Sequence, residues 1–385
     1  MSERTVETNV AVWADRHLPP SVIADQVRAL QASGAVDGIL LADQLGNFIP
    51  PELWTVNNTP MAALLPDPDS HSDVFVIAGY LLAAAPKLHL AISTDSVRRP
   101  PAELVQAMLT LANITEGHAS FHIGGGEAKQ LKPFGHPGAQ GMSRMEDLFR
   151  IFRAIWESDG PIDFAGRRWK FAKASIGSAK PHRPKLYGLG GGPQLIDHAT
   201  SYADGLAFAC PSVFPSAERF ATARRDILEQ VERKDRDPKQ FGFAVWFPVM
   251  LARDQRELER ALENPIVRWL GAIFGRIEHP LWREEGLASP LPEDWRYYDH
   301  LLPQQTPSSF LSSVLDKVTR EHVTKGWLCG TPAAVAEMIR PYVEAGADWV
   351  CPMDYMPLVL DPSEAPAAFS RTVELCGVIK GSAAR

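Results

Sequence analysis

Short apolar runs alternate along this chain with longer stretches whose apolar positions recur at helical spacing, and this alternation organises the whole sequence. Val10–Trp13 reads as a strand, followed by a proline-started helix from about Pro20 to Ser33 with a stop at Gly34. Gly38–Ala42 is the next strand and runs into Asp43-Gln44. Further strands read at Leu88–Ser93, Ala119–Ile123, Lys185–Leu189, Gly205–Ala209, Phe241–Leu251 and Asp348–Met353. Between them lie helical patterns at Asp73–Ala85, Pro101–Thr115, Arg144–Trp156, the stretch ending near Tyr202, Pro215–Arg233, Thr331–Ala345 and Ser363–Lys380. Pro161–Phe171 reads as a small hairpin turning at Ala165-Gly166.

Two stretches break the rhythm. A loop rich in Pro, Asn and Asp runs from the second strand to about Asp73, and its length at a strand's C-terminal end favours function. Residues 253–325 read as an insertion of short helices. Eight strand–helix units predict an α/β fold closed into a (β/α)8 TIM barrel, with the long loop after strand 2 and the helical insertion between strands 7 and 8. A doubly wound sheet is the other arrangement that periodicity allows. The expectation is one domain over residues 1–385.

Composition narrows the function. The 385 residues carry 39 Lys+Arg against 46 Asp+Glu, a net charge of -7, which argues against binding nucleic acid through its phosphates. Four scattered cysteines form no CxxC pair, so neither a disulfide framework nor a metal site is expected, which fits a reducing compartment. The segment MSERTVETNV has no signal-peptide core, and no apolar run is long enough for a membrane span. The expected location is the cytoplasm.

In such barrels chemistry sits at the C-terminal ends of the strands. There the sequence places Asp43 and Gln44, Ser93 to Asp95, Gly124 to Glu127, Gly190 to Pro193, Cys210 to Ser212, and Asp354. The Gly190-Gly191-Gly192 run lies between a strand and a helix, where backbone N–H groups can approach a phosphate; a plain tight turn is the alternative. Glu127 is a candidate general acid or base, and equally an ordinary carboxylate at a helix start. Arg98-Arg99 reads as solvated surface by default, or as a partner for an anionic cofactor; Arg167-Arg168 reads as surface charge.

The strand ending in ADQ, the IGGGEA segment with Gln130 just beyond, and the GGGP loop followed by ADG are similar, in order and spacing, to the luciferase-like monooxygenase superfamily. Within it the chain resembles the coenzyme F-420-dependent oxidoreductases, nearest to phthiodiolone dimycocerosate ketoreductase-like proteins and more distantly to glucose-6-phosphate dehydrogenases. The resemblance implies hydride transfer between F-420, a deazaflavin, and a carbonyl/alcohol carbon; an FMN-dependent monooxygenase is the alternative. It implies that Glu127, Asp43 and Gln44 act at the reacting centre. It further implies that Asp43, Ser93, Thr94, Gly126, Gln130, Gly190, Gly191 and Gly192 contact the cofactor, with a non-prolyl cis peptide at Ser93-Thr94. A homodimer is implied in the same way.

Two departures from the family pattern matter. Gln44 stands where many relatives carry a proton-accepting histidine, and an amide cannot take a proton near neutral pH. His17 and His71 are loop histidines available for that work, although surface positions are the simpler reading. The stretch Cys210 to Pro215 lacks the cations that hold a sugar phosphate, so a lipophilic small molecule is expected as substrate. Phe48, Ile49, Leu53, Trp54, Trp269, Ile273, Phe274 and Trp282 are candidate walls, or simply pack the insertion onto the barrel.

Overall fold

A computed structural model describes residues 6–383; the first five residues, part of the segment read for a signal peptide, lie outside them. Eight parallel strands form the barrel: β1 (Glu7–Ala11), β2 (Gly38–Ala42), β3 (His89–Asp95), β4 (Ala119–Gly124), β5 (Lys185–Leu189), β6 (Gly205–Ala209), β7 (Gly242–Leu251) and β8 (Trp349–Asp354). Each pairs with the next, and β8 pairs with β1, so the ring closes. The doubly wound alternative is excluded.

Alternation along the strands sorts side chains into two layers. Ile39, Leu41, Leu90, Ile92, Phe121, Ile123, Phe243 and Val245 face the surrounding helices. Their neighbours Leu40, Ala91, Ala207, Ala244, Trp349 and Cys351 fill the lumen with Tyr187 and Trp246. His122 alternates into that lumen, fully buried between Trp246, Tyr187 and Trp349. It accepts a 3.1 Å hydrogen bond at Nδ1 from the Trp246 indole, and burial pushes its pKa down to about 3.

The periodicity misplaces β1, which begins at Glu7 rather than Val10. Its polar residues Thr8 and Asn9 are fully buried, and Thr8 is satisfied by Asp37, whose Oδ2 accepts from the Thr8 amide at 2.9 Å and hydroxyl at 3.1 Å. A hydrophobicity pattern does not register such a pair. Between β7 and β8 lie the helices Gln255–Leu262, Pro265–Phe274, Pro280–Glu284, Tyr297–His300, Ser308–Lys317 and Arg320–Gly326. The sequence reading missed a three-residue strand, Leu328–Gly330, that pairs with the outer half of β7.

Most of the candidate wall residues prove structural. Ile49, Leu53, Trp54, Trp269 and Ile273 belong to a buried cluster joining the long loop to the insertion. The Trp269 indole donates to the Phe48 carbonyl at 2.8 Å and that of Trp54 to the Leu65 carbonyl at 2.7 Å, so the clamp is polar as well as apolar. Phe48 and Phe274 stay partly open. Among the described residues no helix is long and apolar enough to cross a membrane, and no group of three His, Cys, Asp or Glu is placed to hold a metal.

Candidate functional site

β4 and β5 are adjacent and parallel, so the segments leaving their C-terminal ends share one rim. One delivers Glu127, the other the Gly190–Gly192 turn. Gly126 has φ +91°, and a Cβ there would lie 2.5 Å from the Leu131 side chain; only glycine fits this exit without strain. A short helix, Ala128–Leu131, follows at once and holds Lys129 and Gln130 inward, both buried.

The Glu127 carboxylate, about a third exposed, is held at both oxygens. The Tyr297 hydroxyl donates to Oε1 at 2.7 Å, and the Lys129 ammonium lies 3.3 Å from Oε2. Lys129 also donates to the Gly46 carbonyl at 2.8 Å and sits 3.8 Å above the Phe48 ring. Burial lowers the Lys129 pKa against the opposing pull of Glu127. Burial and then Glu127 push the Tyr297 phenol well above its ordinary value, so it remains a donor. Phe48, Phe274 and Tyr297 pack ring against ring at 4.8–6.4 Å and form the apolar wall of this corner.

Asp43, at the end of β2, is a structural node. Its Oδ2 accepts from the Thr94 hydroxyl at 2.7 Å and meets the Arg98 guanidinium at 3.0 Å and that of Arg99 at 3.3 Å. Arg98 also pairs with Asp95, and Arg99 reaches Asp73, the N-cap of the helix Val74–Ala84, at 2.9 Å. The default reading of Arg98-Arg99 as solvated surface is therefore wrong: the Arg98 side chain is only 6% exposed. Arg167-Arg168 is exposed, as its reading as surface charge expects; Asp147 accepts from both backbone amides, at 3.1 and 2.7 Å, and the Arg168 guanidinium donates to the Ser143 hydroxyl at 2.7 Å.

Ser93 and Thr94 pair in regular register with His122 and Ile123 on β4. Their peptide is trans; among the described residues the only cis peptide is Cys210–Pro211. Gln130 turns its amide onto the long loop, accepting from the Leu45 N–H at 2.6 Å, so its polar atoms hold that loop in place. Gln44 is half-buried and makes no side-chain hydrogen bond among the described residues. Asp354 clips strands together instead of facing the rim: it accepts from the Leu251 and Met356 amides at 3.1 and 3.0 Å, while burial raises it to about 7.

A deazaflavin's phosphate fits the β5 turn on the geometry present. Gly190 has φ +132°, and Gly192 caps the helix Pro193–Tyr202 with open space where a side chain would stand. No hydrogen bond occupies the N–H of Gly191 or Gly192 among the described residues, which leaves donors at a positive helix end. A pocket of about 390 Å³ lies between Pro211, Pro215, Ala217, Arg276 and Tyr342, and Glu127 does not line it.

Sequence reasoning missed Lys129 and Tyr297 as the partners of Glu127. Lys129 sat two residues from the motif; Tyr297 comes from 170 residues away in the insertion, with no local signal.

The closed barrel with this rim is that of the luciferase-like monooxygenases, whose family model matches residues 10–348; the chain belongs to that family. Among its relatives, a phthiodiolone/phenolphthiodiolone dimycocerosates ketoreductase of Mycobacterium kansasii is 25% identical over 87% of this chain and 91% of its own. An F-420-dependent glucose-6-phosphate dehydrogenase of Rhodococcus jostii is 25% identical over 68% of this chain and 70% of its own. Of solved structures, an F-420-dependent secondary alcohol dehydrogenase holding an F-420–acetone adduct superposes with a TM-score of 0.73 at 17% identity, covering 97% of this chain and 99% of its own. A riboflavin lyase with modified FMN gives 0.66 at 14% identity, covering 96% and 90%.

Proposed function

We propose that the chain is an oxidoreductase that takes coenzyme F-420 and moves a hydride between it and a carbonyl/alcohol carbon of a lipophilic small molecule. Its relatives include F-420-dependent oxidoreductases, and the observation that carries the reading is the shared rim of Glu127 and the Gly190–Gly192 turn. Bound F-420 would supply the hydride chemistry; the protein supplies binding, orientation and proton handling.

On this reading the Gly191 and Gly192 amides hold the phosphate, beside Gly126. Ser93, Thr94 and the Asp43 node shape the floor against which the ring lies. Gln44 offers a hydrogen bond to ring or substrate and no proton. Gln130 acts indirectly, by fixing the loop at Leu45 and Gly46. Glu127 holds or collects the proton, with Tyr297 and Lys129 setting its orientation. Phe48 and Phe274 keep water from that corner and receive an apolar substrate.

The Glu127→Gln variant tests the assignment, since a positioned acid–base group contributes about 10²–10⁴-fold. Turnover is expected to fall by that order while F-420 affinity stays within about twofold; unchanged turnover rejects the role. The family also supports a flavin reading, in which FMN replaces F-420 and oxygen is the co-substrate, and cofactor titration separates the two.

For the expected homodimer we propose one face of the second helix as the contact. The helix Val74–Ala84 exposes Val76, Tyr80 and Ala83 at positions one turn apart, an apolar stripe suited to a second copy. Residues 1–385 act on this reading as one unit, in the cytoplasm.

A further inference from the structure

Gln44 leaves open which group receives the substrate's oxygen. We infer that the imidazole of His71 and the indole N–H of Trp13 form a two-point hydrogen-bonding subsite for an uncharged oxygen, the carbonyl or hydroxyl of the substrate. This rests on the redox reading above and names the substrate contact within that site.

Three buried polar atoms near the exit of β1 have no partner among the described residues: Trp13 Nε1, Asp15 Oδ2 and His71 Nε2. Buried polar atoms are normally paired, and orphans clustered in one place call for a ligand. Trp13 stacks on His71, their ring centroids 6.0 Å apart at 25°. The position is built, although His71 lies in a long loop. An isolated bridge pairs Asp15 with His71, the Arg16 amide donates to the Ser70 carbonyl at 2.7 Å, and the Ser72 amide to the Ala14 carbonyl at 2.9 Å.

The chemistry selects the ligand. Indole N–H only donates, whereas neutral imidazole Nε2 donates or accepts according to tautomer. The charged groups acting on His71 are Lys129, Arg16 and Asp67, with Asp15 across the bridge. Burial first, then Lys129, lowers the imidazole to about 4, so it is neutral at physiological pH. A neutral donor pair suits a ketone oxygen, and the other tautomer suits an alcohol. Of the two cations acting on His71, Lys129 is engaged by Glu127 and Gly46 and Arg16 is exposed, while the buried, unpartnered Asp15 Oδ2 repels a second carboxylate. His17, the other loop histidine, is already engaged: its Nε2 lies 2.9 Å from Asp67.

The test uses the ¹⁵N-labelled full chain, with and without F-420, and 2-decanone, 2-decanol and decanoate as probes. Trp13→Phe and His71→Phe assign the indole and imidazole resonances by their disappearance. We expect 2-decanone and 2-decanol to move both resonances and decanoate to move neither. Each variant should also raise KM for 2-decanone by about tenfold or more, with F-420 affinity changed less than twofold. Resonances that stay in place at saturating ketone, with and without F-420, overturn the subsite; an equal response to decanoate overturns its preference for neutral oxygen. Failure of F-420 to bind, while the ketone still moves both resonances, sinks the redox reading alone.

Discussion

Individual side chains at this rim divide into those that tie the fold together and those proposed to act in turnover. Asp43 belongs to the first group. Its two arginines are themselves tied to Asp95 and Asp73, so the four carboxylate and guanidinium residues beside it form one partly buried network. Breaking a buried pair strands the remaining charge at a cost of about 3–5 kcal/mol. Arg98→Leu is therefore expected to lower stability by that order in urea denaturation, and a change under 1 kcal/mol would show that the network is not structural. Glu127 belongs to the second group, with Tyr297 as its fixed donor. Tyr297→Phe removes a hydrogen bond to a charged group, worth about 1.5–3 kcal/mol; it should slow turnover roughly 10- to 100-fold, measured at saturating cofactor. Glu127 was legible because a carboxylate on a glycine-rich strand end has few neighbours that explain it. Tyr297 and Lys129 were not legible, because their roles arise only when the insertion folds over the rim and buries them together.

Among the elements, strands two to eight could be read nearly to their ends, since each is an apolar run between a helix stop and a polar turn. β1 was read three residues late because its buried Thr8 and Asn9 look like surface. The turn after β5 carries the element-scale test. Gly190, at φ +132°, admits a side chain only with strain, and Leu195 lies 3.2 Å from where a Cβ would stand. Gly190→Ala should weaken F-420 binding about tenfold, read by quenching of cofactor fluorescence, while the far-ultraviolet circular dichroism stays unchanged. The helix Val74–Ala84 carries another: Val76, at the N-terminal end of the apolar stripe, is 75% exposed. Wild type should sediment as a dimer and Val76→Asp as a monomer; a monomeric wild type contradicts the proposed interface.

The whole molecule responds to pH through groups its fold buries. His122 is held neutral in the lumen at about 3, against an ordinary 6.5. Between those values the unfolded chain binds a proton that the native chain does not, so this contribution to stability is lost as pH falls from 6.5 toward 3. Asp354, raised to about 7, acts in the opposite sense: its contribution is lost as pH rises from about 4 through 7. Comparing denaturation at pH 7 and pH 5 for wild type and His122→Gln isolates the first term, and the variant should lose less stability on acidification. Equal losses would show that His122 does not govern this window. Barrel closure was only half legible, since alternation gives the number of strands and not the pairing of the last with the first. Titration of the purified chain with F-420 and with FMN, followed by fluorescence quenching, decides between the two cofactors. Saturable binding of F-420 at least tenfold tighter than that of FMN is expected, and tight binding of FMN alone would overturn the assignment of F-420.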